Sequence, residues 1–211
     1  MIHIVDYGVC NLGSILNMCR RLGIPATVAS TADDIDGAGR IILPGVGAFD
    51  SGMQNLNERG LTEALGRAAV ERRIPVLGIC LGMQLMAKAS SEGKRAGLGW
   101  IDAEVKHFTE ISAGPVEGLK FPHIGWNFVV TLHSHPVLAG LDQPPRFYFV
   151  HSYCVVCSED EQLARSRYGP ITFTAMFASR NLLGAQFHPE KSHRFGMRLI
   201  GNFAAWHPDG S

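Results

Sequence analysis

A chain of 211 residues matches the size of one α/β domain, and on folding it buries roughly 70% of its unfolded surface, so its core needs no disulfide or metal staple. Nineteen basic side chains balance nineteen acidic ones and only 18% of residues are charged, which argues against disorder, a polybasic membrane arm and binding of nucleic acid driven by charge. The five cysteines (10, 19, 80, 154, 157) form no regular framework and the opening residues lack a signal-peptide pattern, so the expected compartment is a reducing cytoplasm.

Taken along the chain, Ile2–Val5 reads as a first strand. Leu12, Ile15, Leu16, Cys19 and Leu22 then recur at helical spacing behind Asn11 as N-cap. Ala26–Ala29 is a second strand, residues 40–43 a third, and residues 76–79 a fourth that is apolar throughout, as a central parallel strand requires. A helix over 61–72 joins the last two, and another begins after Cys80. From about Leu98 the texture turns to β segments at 100–108, 128–132, 147–150, 154–156 and 172–177. A last apolar strand at 183–187 precedes a loop and a closing helix over 195–206. The stretch from Phe121 to Leu141 lacks Asp, Glu, Lys and Arg, but its three histidines and two prolines make it no membrane span. The expected architecture is a central, mostly parallel sheet flanked by helices with a β-rich second half, one domain over 1–211.

Glycine is the compositional outlier, at 24 residues; most serve ordinary turns, but Gly45, Gly47, Gly78 and Gly82 fall where chemistry could need them, the last two at the sharpest local feature. In Gly78-Ile79-Cys80-Leu81-Gly82 an apolar strand must turn into a helix, and glycines on both sides let the chain reverse so that the central thiol stands above the sheet. A thiol there is a candidate nucleophile; the alternative is a buried structural cysteine. A nucleophilic thiol needs a base, and Phe187-His188-Pro189-Glu190 supplies one at the end of a second apolar strand. Pro189 stops the strand, and Glu190 stands two residues on, where it can accept from the imidazole.

Pro44-Gly45-Val46-Gly47-Ala48-Phe49 follows the third strand in the same topological position. Its glycines permit a peptide whose N–H turns toward a developing oxyanion beside the amide of Leu81. A plain turn is the alternative. A Walker loop is excluded because no Gly-Lys-Ser/Thr follows, and a dinucleotide fingerprint because Asp50 stands where its third glycine belongs.

Gly-Ile-Cys80-Leu-Gly-Met-Gln84 together with Gln-Phe-His188-Pro-Glu190 resembles the class I (triad) glutamine amidotransferases, whose fold is a flavodoxin-like α/β sandwich. Pro-His-Ile-Gly-Trp-Asn at 122–127, Phe-Val-His-Ser-Tyr at 149–153 and His-Pro-Glu-Lys-Ser at 188–192 are similar to the glutaminase subunits of imidazole glycerol phosphate synthase. The resemblance spans residues 6–203. It implies Cys80 as nucleophile, His188 as acid and base, and Glu190 as its orienting partner. It further implies L-glutamine held by Gly47, Gln84, Glu92, His151, Ser152 and Tyr153, with the Val46 and Leu81 amides as oxyanion hole. Asn11, Trp126, Tyr148 and Lys191 would face a (β/α)8-barrel synthase that receives the ammonia for histidine biosynthesis. No cofactor and no metal is implied.

Two departures stand out: Cys10 precedes Asn11 where the family has glycine, and residues 192–197 resemble a paralogous branch that amidinates sugars for bacterial surface polysaccharides. A non-catalytic thiol sensor or binding subunit is the rival from another class. Cys154 and Cys157 read as strand residues, since no second pair completes a zinc site. His107, His123, His133 and His135 form no metal pair, and His123 is expected to order a loop. Ser91 to Arg95 reads from its residues alone as a solvated loop, and Arg20-Arg21 and Arg72-Arg73 as exposed helix ends.

Overall fold

The computed structural model describes residues 1–141 and 144–208; the expected domain bounds of 1–211 reach into 209–211, which lie outside the described residues. The first half alternates strand and helix. β1 (Ile2–Val5), α1 (Leu12–Arg21), β2 (Ala26–Ala29), α2 (Ala32–Asp36) and β3 (Ile41–Gly45) come first. They are followed by α3 (Phe49–Glu58), α4 (Leu61–Gly66) running into a π-helical stretch Arg67–Glu71, β4 (Val76–Cys80) and α5 (Leu81–Leu85). The second half holds β5 (Ala89–Ser90), β6 (Glu104–His107), α6 (Phe108–Ile111), β7 (His123–Phe128) and β8 (Val130–Thr131). It continues with β9 (Arg146–His151), β10 (Tyr153–Val156), β11 (Gln162–Tyr168), β12 (Ile171–Ser179), β13 (Leu182–Ala185) and α7 (His193–Ala205).

Among the described residues the main sheet has eight strands in the order β2-β1-β3-β4-β13-β12-β11-β8. The pairings from β2 to β13 are parallel and the rest antiparallel. Side-chain alternation along each strand splits the core in two. Ile2 and Ile4 of β1 and Leu77 and Ile79 of β4 lie on one face, covered by Ile15 and Cys19 of α1 and Leu199, Ile200 and Phe203 of α7. Val5 and Val76 lie on the other, under Ile35, Phe49, Met53, Leu56, Leu61, Leu65 and Leu85 from α2 to α5. Each such fully buried large side chain stabilises the fold by about 1.5–3 kcal/mol.

Local chemistry explains several element ends. Thr31 caps α2 by accepting from the Asp34 amide at 3.2 Å, and the Asp34 carboxylate accepts from the Thr31 amide at 3.0 Å, a capping box. Pro44 fits a central strand because β1 pairs with β3 only at Ile41 and Ile42, so no partner needs an amide from residue 44. Asn11 occupies the N-cap of α1 but makes no side-chain capping bond, contrary to expectation; its φ of −94° and ψ of 75° are not those of an extended cap.

Five sequence expectations need correction. The strand expected over 100–108 is confined to β6. The amides of Gly97, Leu98, Gly99 and Trp100 donate to the carbonyls of Lys88, Leu85, Ala87 and Met86, so that backbone is engaged by the preceding turn, and Phe108 opens α6 behind the capping side chain of His107. The strand expected over 128–132 is two: Phe128 ends β7, Val129 donates to Pro145, and Val130–Thr131 joins β11. His123 lies within β7, not in a loop, pairing in register with His151. The strand β13 stops at Ala185, short of Phe187, and α7 begins two residues before expected. β7 and β11 were not foreseen; both mix exposed and buried polar residues and so hide the apolar pattern. No helix of the described residues is long and apolar enough to cross a membrane.

Candidate active site

The carboxyl ends of β3, β4 and β13 meet at one edge of the sheet, with Gly45 beside Cys80 and Ile79 beside Ala185. Open α/β sheets place their ligands there. Cys80 turns the chain from β4 into α5 with φ 53° and ψ −110°, a conformation that costs a non-glycine residue on the order of 1–3 kcal/mol. The flanking glycines make the reversal possible sterically. A Cβ on Gly82 would collide with the carbonyl of Leu43, and one on Gly78 would lie 2.7 Å from the Gly82 carbonyl oxygen and the Met83 nitrogen. The thiol is mostly buried; its Sγ lies 3.9 Å from the Val150 carbonyl and receives the Gln186 amide at 3.8 Å.

His188 follows β13 and is fixed on several sides. Its amide donates to the Tyr148 carbonyl at 2.9 Å, and its own carbonyl accepts from the Ser192 hydroxyl at 2.6 Å. Ser192 in turn accepts from the Tyr148 amide at 3.0 Å, locking the post-strand turn to β9. The ring Nδ1 is 2.8 Å from Glu190 Oε1, with both side chains buried. Nε2 is buried and without a hydrogen-bond partner among the described residues. Burial opposes charge on this imidazole, yet its interactions with the Cys80 sulfur and the Glu190 carboxylate outweigh it and push its pKa up to about 9. His188 is therefore cationic at neutral pH, with one nitrogen committed to Glu190 and the other open to a reacting group.

A cavity of about 310 Å³ opens beside the thiol, lined by Val46, Gly47, Cys80, Leu81, Gln84, Glu92, Val150, His151, Ser152 and Tyr153. The structure thus gathers every residue that the resemblance assigned to glutamine, from four separate segments. Gln84 donates to the Tyr153 carbonyl at 2.9 Å and to Gln186 Oε1 at 3.2 Å, bracing the floor. Glu92 accepts from the amide of Phe49, the first residue of α3, at 2.8 Å, which ties the segment 91–95 to the end of the 44–48 loop. His151 Nδ1 is 2.8 Å from the Tyr153 carbonyl and so carries the proton. Burial, partly countered by that carbonyl, lowers its pKa to about 3, with His123 and His188 acting in the same direction as burial.

The resemblance also implied a Val46 peptide that must be reoriented before it can serve the oxyanion. The Val46 amide donates to the Val9 carbonyl at 2.8 Å and so does not point into the cavity. Gly47 has φ of +102°, and nothing lies within 4 Å of where its Cβ would stand, so the loop has a pivot with room to turn.

Of the residues expected at a partner surface, Trp126, Tyr148 and Lys191 form one patch beside His188. The Trp126 and Tyr148 rings are 6.1 Å apart, and Lys191 Nζ is 5.7 Å from the Tyr148 ring centre. Asn11 is exposed at the start of α1. Ile124 and Phe128 extend the patch as exposed apolar side chains of β7. Gln186 and Val9 were not foreseen. Gln186 had a signal, an amide in the otherwise apolar run from Leu182 to Phe187; Val9 contributes only a carbonyl, which no side-chain pattern announces. Among the described residues no group of three or more His, Cys, Asp or Glu is arranged to hold a metal ion.

A family model described as glutamine amidotransferase class-I matches residues 3–205. The chain is 48% identical over 205 residues to the imidazole glycerol phosphate synthase subunit HisH of Bdellovibrio bacteriovorus, covering 97% of this chain and 99% of that one. It is 47% identical to the imidazole glycerol phosphate synthase subunit HisH 2 of Pseudomonas aeruginosa, covering 96% and 98%. Among solved structures, a glutamine amidotransferase superposes with a TM-score of 0.73 at 18% identity, covering 98% and 100%, a likeness of fold.

Proposed function

The chain belongs to the class I glutamine amidotransferases, and from that membership we propose that it is the glutaminase subunit of an imidazole glycerol phosphate synthase. The reading takes residues 1–211 as one domain that acts in the cytoplasm on L-glutamine. Its ammonia passes to a (β/α)8-barrel synthase subunit, which uses it to form imidazole glycerol phosphate in histidine biosynthesis.

The chemistry needs no cofactor. Cys80, as thiolate, adds to the side-chain carboxamide carbon of glutamine. The C–N bond breaks as the His188 imidazolium gives its Nε2 proton to the departing nitrogen, leaving a γ-glutamyl thioester and ammonia. Water then attacks the thioester while Nε2 takes its proton, and glutamate leaves with the thiolate restored. Glu190 holds the imidazole through Nδ1 and stabilises its cationic form. Gln84, Glu92, His151, Ser152 and Tyr153 hold the substrate, and the Val46 and Leu81 amides serve the oxyanion once the Val46 peptide has turned.

The observation that carries this reading is the placement of His188, bound through Nδ1 to a buried carboxylate with Nε2 open beside Cys80. The bond from Val46 to Val9 supports reading this conformation as a resting state, with activation supplied by binding of the loaded partner. The test is Cys80→Ala purified with the barrel subunit. Glutamine-dependent turnover is expected to vanish while turnover on added ammonium salts and partner binding persist. Retained glutamine hydrolysis would sink the assignment. A stable wild-type complex that makes no imidazole glycerol phosphate would move the acceptor to a sugar, as the residues at 192–197 suggest.

A further inference from the structure

Tyr7 lies just beyond β1, fully buried, and its hydroxyl has no hydrogen-bond partner among the described residues. Buried hydroxyls are nearly always paired, so an orphan of this kind calls for a reason. The hydroxyl rests directly against Gly45, where a Cβ would collide with it. Burial, with the thiols of Cys10 and Cys80 adding to it, raises its pKa well above that of an ordinary tyrosine, so it keeps its proton and is a donor.

The neighbouring peptide is the one that must move. The bond between Gly45 and Val46 is trans, so its C=O points opposite to its N–H. With the N–H on Val9, the Gly45 carbonyl faces away from the β1 loop. Turning the peptide to aim the N–H into the cavity swings that carbonyl toward the β1 loop. There, on a buried residue, it needs a donor. The Val9 carbonyl is itself an acceptor and cannot serve, whereas the Tyr7 hydroxyl is buried, unpartnered and already in contact with Gly45.

We propose that Tyr7 is a positioning residue for the activated site: its hydroxyl stands vacant in the resting state and donates to the Gly45 carbonyl once the peptide has turned, holding the Val46 amide toward the oxyanion. The assignment rests on the glutaminase reading above. It gives the orphaned hydroxyl a role that the resting state does not, and it accounts for glycine at 45, where any side chain would occupy the contact. Tyr7 touches neither substrate nor reacting atoms; it acts through the backbone of residues 45 and 46.

Tyr7→Phe keeps the ring and removes the donor. In the complex with the synthase subunit and its acceptor substrate, kcat for glutamine hydrolysis is expected to fall about fivefold to tenfold, the loss of one hydrogen bond, with KM unchanged. The melting temperature of the isolated chain is expected to stay level or rise, because the variant deletes a hydroxyl that the resting state leaves unpaired. In the stimulated wild-type complex the Val46 amide resonance should shift, and in the variant the shift should shrink. An unchanged kcat in a complex whose wild type is stimulated overturns the Tyr7 assignment and leaves the glutaminase reading intact. A lowered kcat accompanied by a lower melting temperature and lost partner binding overturns it too, since that is a structural role. If the wild-type complex turns over ammonia but never glutamine, the glutaminase reading fails and the assignment falls with it.

Discussion

The amide of Val46 and the carbonyl of Val9 are joined at 2.8 Å across the gap between the ends of β3 and β1. On the proposed mechanism, this one bond withholds the Val46 amide from the developing oxyanion. Isolated chain is expected to hydrolyse glutamine slowly, and the loaded complex to do so roughly 10²–10³ times faster, the usual effect of one oxyanion-hole donor. Glutamate release with and without the synthase and its acceptor measures this, and equal rates would remove the resting-state interpretation.

Three buried imidazoles give stability opposite slopes on either side of pH 6.5. His188 is raised to about 9, so the stability it lends by being charged is complete below about pH 6.5 and is lost as the pH climbs through 9. Burial lowers His123 to about 4 and, with the other causes, His151 to about 3. The stability from keeping them neutral is complete above about pH 6.5 and is lost as the pH falls toward those values. Urea midpoints should peak near pH 6.5. His123→Phe, filling a site among Phe149, Tyr168 and Phe173, should narrow the difference between pH 5 and 6.5, and His188→Gln the difference between 6.5 and 9. Unaltered slopes in both variants would show that other groups carry them.

Gly82→Ala is expected to destabilise the chain by about 3 kcal/mol or more, because its Cβ would overlap the Leu43 carbonyl, which belongs to a central strand and has nowhere to yield. Denaturant unfolding and the rate of Cys80 alkylation should change together. A variant of normal stability would mean that β3 and α5 are less closely packed than described.

Asn181→Leu tests a point far from the chemistry. The buried amide donates to the Ala69 and Ile74 carbonyls at 2.8 Å each, closing the π-helical stretch against the start of β13. Its loss should cost about 2–4 kcal/mol, since two carbonyls lose their donor. Glutamine turnover per folded molecule should be unchanged; a selective loss of turnover would tie this end of the sheet to the site.

The parallel half of the sheet was legible in the sequence because β1, β2 and β4 are short, β-branched and bounded by turn residues. The antiparallel half was not. β11 carries Gln162, Arg165 and Arg167 among its apolar residues, and β7 alternates exposed Ile124, Trp126 and Phe128 with inward positions, the reverse of the usual pattern. Cys80, His188 and Glu190 were readable because strand-ending glycines and a proline fix where their side chains emerge. The Val46–Val9 bond and the vacancy of the Tyr7 hydroxyl lie between backbone and tertiary neighbours, where residue identity carries no signal.

The placement of β13 between β4 and β12 also sets a timetable. As the chain is made, Cys80 and the strand that carries it emerge long before residues 182–190, and until those arrive β4 has no neighbour on that side and the thiol has no base. On the proposed mechanism, the capacity to release ammonia therefore waits for the last strand of the sheet, and a chain truncated before it would carry the thiol without its base.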